Sequence, residues 1–211
     1  MLFIQSALDK DELAEVTARL KTLPVPGTRK PKPGDPPHND SKTKALMGWV
    51  KTSVTNHPLV QAYSQPARFS SFYLARHLPT DPFGLHPTDP LMKGEDGQPM
   101  RTDLSFTLFL SLKDAYDGGA LSLEANDGTR DIRLDAGDMV IHKTGQLHQI
   151  LPVTRGERFA VVGWIQSLVQ REDERDVLFD LQRMLLASKD KTQVLMLQKT
   201  IGNLHRMWAK I

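Results

Sequence analysis

The stretch "LHQILPVTRGERFAVVGWIQSLV" (147–169) decides how the rest of the chain is read. Its halves "LHQILPV" and "ERFAVVGWI" are rich in β-branched and aromatic residues and have the character of strands. "TRG" (154–156) separates them. A three-residue hairpin loop wants its last residue in the left-handed region, and Gly156 supplies that. The implied register sets Val153 opposite Glu157 and Pro152 opposite Arg158. Side chains alternate between faces along a strand, so His148, Pro152 and Arg158 are expected on one face. A guanidinium placed there is a two-pronged clamp for a carboxylate.

Working outward, the same strand-like texture runs from residue 67. "LSFTLFLSL" (104–112) is a strong strand. "GALSLEA", "NDG" (126–128) and "TRDIRL" read as a hairpin with a tight turn. "GDMVIHK" follows, and Gly118-Gly119 marks another turn. Several short strands with regular turns predict a sandwich or barrel. Helices flank it. "LDKDELAEVTARLKTL" (8–23) carries Asp9 and Glu12 at capping-box spacing and an apolar stripe of Leu13, Val16 and Leu20, and Pro24 and Pro26 end it. A proline-rich loop spans 24–41, and 42–56 fits a second helix or an extended segment. After residue 168, Val177, Leu178, Leu181, Met184 and Leu185 recur at helical spacing, as do Val194, Leu197, Ile201, Leu204 and Trp208. The expectation is a helical hairpin docked on the β domain or on a second copy of the chain, which would make a homodimer. The domain boundaries that follow are 1–66, 67–168 and 169–211.

Composition narrows the functional classes. The 211 residues include 27 basic and 25 acidic ones, well mixed, for a net charge of +2. The short run "TRKPKP" (28–33) lacks interleaved aromatics, so nucleic acid is not an expected partner. No stretch approaches the apolar length of a membrane span, and the N-terminus does not read as a signal peptide, so a cytoplasmic location is expected. There are no cysteines, so any metal must be held by His, Asp or Glu. Of seven histidines, two have telling contexts. His86 precedes Asp89 by three residues in "FGLHPTDPLM" (83–92), and His148 precedes Arg158 by ten. Two histidines and one carboxylate with open positions suit ferrous iron in oxygenases. The competing reading of each histidine is a satisfied polar residue near a strand end.

"MRTDLSFTLFLS" (100–111), "YDGGALSL" (116–123), "AGDMVIH" (136–142), the 147–169 run and the two closing helices together resemble the PKHD-type hydroxylases. These are bacterial iron- and 2-oxoglutarate-dependent dioxygenases of the prolyl-hydroxylase-like group. The resemblance covers residues 67–211 and, more weakly, the first helix. It implies a mainly β fold with flanking helices: a double-stranded β-helix, or jelly roll, with an N-terminal helix and a C-terminal helical hairpin. It implies Fe(2+) held by an H-x-D motif and a distal histidine, 2-oxoglutarate as co-substrate, and L-ascorbate as reductant. The reaction would be hydroxylation of a small-molecule or peptide substrate with release of succinate and carbon dioxide.

Residue by residue, His86 matches the first histidine, His148 the distal one, and Arg158 the partner of the far carboxylate of 2-oxoglutarate. The carboxylate ligand departs from the pattern. The chain reads His86-Pro87-Thr88-Asp89-Pro90, and an ungapped count puts Thr88 at the ligand position. Residues i and i+3 do not share a strand face, so Asp89 serves only where the backbone turns, which Pro87 and Pro90 favour. Asp89 is the expected ligand. Relatives also carry a tyrosine before the first histidine that helps bind 2-oxoglutarate. Here that place reads Arg76-His77: either His77 takes over that hydrogen bond or the co-substrate sits differently. His142 is expected to be structural or pocket-lining, not a ligand, and Arg101 and Asp103 to steer substrate or to form a structural ion pair at a strand entrance. The rival class is a degenerate jelly roll that binds a small acid or a metal without turnover.

Overall fold

The chain opens at a sheet edge. In the computed structural model, which describes residues 1–23, 41–79, 81, 84–85 and 87–210, Leu2–Ile4 (β1) precedes the first helix, Lys10–Leu20 (α1). The expected capping box starts that helix: Asp9 Oδ1 accepts from the Glu12 N–H at 2.8 Å, and Glu12 Oε2 accepts from the Asp9 N–H at 2.9 Å. The proline-rich loop lies outside the described residues, apart from its last residue. Segment 42–56 resolves as helix, Ser41–Asn56 (α2), and a short helix not expected from the sequence follows, Pro58–Ser64 (α3). Pro58 hid it: proline reads as a breaker, yet its fixed φ suits a first helical turn. His57 caps it, with Nδ1 accepting from the Leu59 N–H at 3.2 Å.

Thirteen strands in all occur among the described residues. After β1 come Pro66–Phe69 (β2), Tyr73–His77 (β3), Leu91–Lys93 (β4), Pro99–Arg101 (β5), Leu104–Phe109 (β6), Tyr116–Gly118 (β7), Leu121–Ala125 (β8) and Gly128–Ile132 (β9). Met139–Lys143 (β10), His148–Ile150 (β11), Val153–Gly156 (β12) and Arg158–Ser167 (β13) complete them. The larger sheet runs β1-β10-β6-β13, and β2 and β3 share the far edge of β13. The smaller layer comprises β11-β8-β9 and the pair β12-β7. Phe109 and Val140 of the larger sheet pack against Leu121, Leu123, Ile132 and Ile150 of the smaller one. This is the jelly-roll sandwich, with every pairing antiparallel. The "NDG" hairpin forms as expected, with Ala125 opposite Gly128.

The outer face of the larger sheet carries the main core. Leu74, Phe106, Leu108, Met139, Val161 and Ile165 bury against Val16, Leu46, Val50, Val54, Val60 and Tyr63 of the three helices. Each fully buried aliphatic side chain contributes about 1.5–3 kcal/mol. The closing helices, Glu172–Ala187 (α4) and Lys191–Trp208 (α5), form the expected hairpin, seamed by Leu178, Leu181, Leu185, Ile201, Leu204 and Trp208. Val177 and Met184, also read into that stripe, are exposed instead. They sit one position before Leu178 and Leu185, and a 100° step moves them off the buried side.

Candidate active site

Pairing register shows which side chains face the interior between the sheets. Directly opposed residues of antiparallel strands share a face. Arg158 lies opposite His77, Ala160 opposite Ala75 and Phe109, and Val162 opposite Tyr73 and Thr107. Thr107 in turn faces Val140, and Ser105 faces His142 and Trp164. Phe109 and Val140 belong to the core between the sheets, so this whole row of residues points inward. From the opposite layer, His148 is paired with Leu123, a residue of that same inner core, and so points inward too.

The deep end of this interior is built around Arg158. Its side chain is 1% exposed. Its Nε, Nη1 and Nη2 make no hydrogen bond with any described residue. Its neighbours are aromatic: the guanidinium lies 5.2 Å from the Phe109 ring centroid. Among the described residues, no carboxylate acts on it. Burial pushes its pKa down to about 10, and the Tyr116 hydroxyl pulls the other way. That hydroxyl stands near enough to favour the charge, yet outside hydrogen-bonding geometry, and it too is buried without a partner among the described residues. A buried cation with neither counter-ion nor acceptors is costly, so the site is shaped for an anion supplied from outside.

Glycines make room for that end. Gly118 and Gly119 both have positive φ, +71° and +63°, as the expected turn requires. A Cβ on Gly119 would sit 3.0 Å from Arg158 Cδ and 3.1 Å from Tyr116 Cε2. Behind Tyr116, the Arg133 guanidinium lies 4.4 Å from the ring centroid and donates through Nη2 to the Lys113 and Tyr116 carbonyls.

The histidines define the other end. The His148 and His142 ring centroids are 6.4 Å apart, and His148 Nδ1 is buried. His142 is 3% exposed, with Nδ1 at 2.9 Å from the Lys143 carbonyl. Burial drives its pKa down to about 4, so the ring is neutral near pH 7. His142 therefore lines the interior as expected. Ser105 and Thr144 are hydrogen-bonded to each other beside it, at 2.8 Å.

The remaining expected ligands come from the segment before β4. His86 lies outside the described residues. Thr88 is half-buried and Asp89 exposed, and residues 87–89 form no strand, in keeping with the two prolines. The segment is anchored by Thr102, whose Oγ1 donates to the Asp89 carbonyl at 2.7 Å and whose N–H donates to the Pro90 carbonyl at 3.1 Å. Among the described residues, no three His, Asp or Glu side chains stand within reach of one metal ion. Arg101 and Asp103 form a structural ion pair, at 3.1 and 3.3 Å, and Asp103 also accepts from the Ser167 N–H at 2.9 Å.

One expectation is overturned. β12 and β13 do not pair as a hairpin: Val153 lies opposite Gly118, and Gly156 opposite Tyr116. Gly156 does adopt the left-handed conformation, at φ +74°, and a Cβ there would collide with the Ala115 carbonyl. The turn passes the chain from the smaller layer to the larger sheet instead of folding it back. His148 and Arg158 reach one interior from two facing layers, not from one hairpin face. Tyr116 was the residue that sequence reading passed over. Its only signal was its place just before "DGG", where two glycines announce a close approach.

The sequence profile of the 2OG-Fe(II) oxygenase superfamily matches residues 64–166. A PKHD-type hydroxylase of Hyphomonas neptunium (strain ATCC 15444) is 38% identical over 100% of both chains. Another, of Maricaulis maris (strain MCS10), is 44% identical over 81% of this chain and 77% of that one. Among solved structures, a prolyl hydroxylase from Trichoplax adhaerens, in complex with a hypoxia inducible factor oxygen degradation domain peptide fragment, superposes with a TM-score of 0.59. That match covers 83% of this chain and 86% of that one at 13% identity, a likeness of fold. An interior of jelly-roll type with an anion-seeking arginine, together with these likenesses across the whole chain, places this protein in the PKHD-type hydroxylases of the 2OG-Fe(II) oxygenase superfamily.

Proposed function

We propose that this chain is an iron(II)- and 2-oxoglutarate-dependent dioxygenase that hydroxylates an organic substrate, with release of succinate and carbon dioxide. Family membership supports the reaction class. The observation that carries the co-substrate is Arg158: a fully buried guanidinium, unpaired among the described residues, at the end of the sandwich interior. Its fork matches a carboxylate, and the far carboxylate of 2-oxoglutarate supplies the missing anion. His77, directly opposite Arg158, flanks the same end. His148, facing the interior, would hold the iron with His86 and Asp89, a thiolate-free donor set that suits ferrous iron. Iron and 2-oxoglutarate, when bound, would activate dioxygen, the oxidant: one of its atoms would go to the substrate hydroxyl and the other to succinate as 2-oxoglutarate loses carbon dioxide. The chain's own part is to orient the co-substrate through Arg158 at the end of the sandwich interior.

L-Ascorbate is the reductant we propose for keeping the iron ferrous, and the cytoplasm the proposed location. No described helix is long and apolar enough to cross a membrane. Val177, Met184, Met196 and Met207, exposed on α4 and α5, suit a homodimer, which sedimentation of wild type against Met184→Glu tests.

The experiment that tests the site is anaerobic addition of ferrous iron and 2-oxoglutarate, read by the weak visible charge-transfer band. Wild type is expected to show the band, Asp89→Ala to lose both band and iron, and Thr88→Ala to keep them. Loss in Thr88→Ala alone moves the ligand to position 88. A wild type with neither band nor iron leaves a jelly roll that binds without turnover.

A further inference from the structure

We propose that Tyr116 is a second anchor for 2-oxoglutarate, its phenolic O–H donating to the same far carboxylate that Arg158 pairs with. The proposal rests on the dioxygenase reading above and adds to it a residue from a different layer of the sandwich.

The two groups share one deficit. Tyr116 is 0% exposed and Arg158 1% exposed. The tyrosine hydroxyl and all three guanidinium nitrogens are buried without a hydrogen-bond partner among the described residues. Buried polar atoms are almost always paired, so two adjacent groups both lacking partners mark one missing acceptor rather than two separate defects. A carboxylate has about four lone-pair sites: a guanidinium fork takes two, and a hydroxyl can use a third. Near the charged guanidinium, the hydroxyl cannot gain by pointing its proton at another donor. A carboxylate between them satisfies both.

The phenol is held for this purpose. Arg133 lies over its ring, 4.4 Å from the centroid, and donates to the Tyr116 carbonyl, which engages ring and backbone together. A Cβ on Gly119 would crowd both the Tyr116 ring and the Arg158 stem, so the two side chains lie side by side against one glycine. The end of β3 beside Arg158, Ala75 to His77, offers no hydroxyl. Arg76 there is engaged by Glu157 in a two-pronged ion pair at 2.6 and 3.0 Å, and His77 carries no hydroxyl. β7 lies on the other layer and presents a hydroxyl to the same guanidinium.

The test is isothermal titration of the manganese-loaded protein with 2-oxoglutarate and, separately, with oxalate, which reaches only the metal end. Tyr116→Phe removes one oxygen and keeps the ring, and its melting temperature checks that the fold is intact. The expected result is about tenfold weaker binding of 2-oxoglutarate with oxalate unchanged. Equal affinity for 2-oxoglutarate in wild type and variant overturns the proposal and leaves the dioxygenase reading standing. Equal weakening of both ligands also overturns it, because that pattern belongs to a structural role. A wild type that binds neither ligand overturns the dioxygenase reading, and this proposal with it.

Discussion

Strand β13 presents two chemistries on its two faces. Phe159, Val161 and Ile165 face the helices, in a core closed by α1, α2 and α3. Arg158, Ala160, Val162 and Trp164 face the interior between the sheets, where a charge is buried with no partner among the described residues. The outer face is satisfied as it stands and should respond to mutation as an ordinary core. The inner face is finished only by what binds there. A change on one side should be read in stability, and a change on the other in ligand affinity.

The largest separation is expected at Arg158. Arg158→Met should lower 2-oxoglutarate affinity by at least ~100-fold, since charged hydrogen bonds are worth about 1.5–3 kcal/mol each. Its melting temperature should hold or rise, because the variant removes a buried charge that has no partner among the described residues. A melting temperature well below wild type would give Arg158 a structural role and blur the two faces. On the outer face, Leu108→Ala should cost about 3 kcal/mol in urea unfolding while 2-oxoglutarate affinity per folded molecule stays the same.

Acid should reveal the inner face a second time. The unfolded chain carries His142 near its ordinary value of 6.5, whereas the folded chain holds it near 4. Between those values the unfolded state binds the extra proton, so metal-free stability should fall as pH drops from 6.5 towards 4, by up to about 3 kcal/mol. His142→Phe should flatten that part of the curve. An unchanged slope would assign the acid sensitivity to His57 and His205, whose values burial also lowers. The smallest expected effect is at Gly163→Ala, on the outer face. Its Cβ would come within 2.6 Å of Phe106 Cε1, and relief by ring movement should cost about 1–2 kcal/mol with ligand affinity intact.

Local signals carried much of this fold. The Asp9–Glu12 box, the "NDG" turn and the stripes of α4 and α5 each depend on residues within a few positions of one another, and each was legible. Long-range pairing was not. The sequence makes 147–153 and 157–167 look like neighbours, and nothing local reveals that Val153 prefers Gly118 and Arg158 prefers His77. The same gap applies at the site. Arg158 and His148 could be singled out one at a time from their surroundings, and the family likeness strengthened both. Tyr116 could not, because its role depends on a guanidinium 42 positions away that only folding brings beside it. β1 was missed for a related reason: three residues gain strand structure only by pairing with Met139, Val140 and Ile141.

The passage through Gly156 has a consequence for which changes of length the chain tolerates. Nine residues link His148 on one layer to Arg158 on the other, and this tether spans the sandwich once. Away from Gly156, substitutions within it are local events. A single residue inserted or deleted between Gly156 and Arg158 would be different in kind: with period-two alternation, it would swap the two faces of β13. The guanidinium would turn into the helix-packed core and Phe159 into the binding interior. Length is therefore more tightly constrained than composition in this connection, and loop swaps meant to retune the enzyme belong elsewhere in the chain.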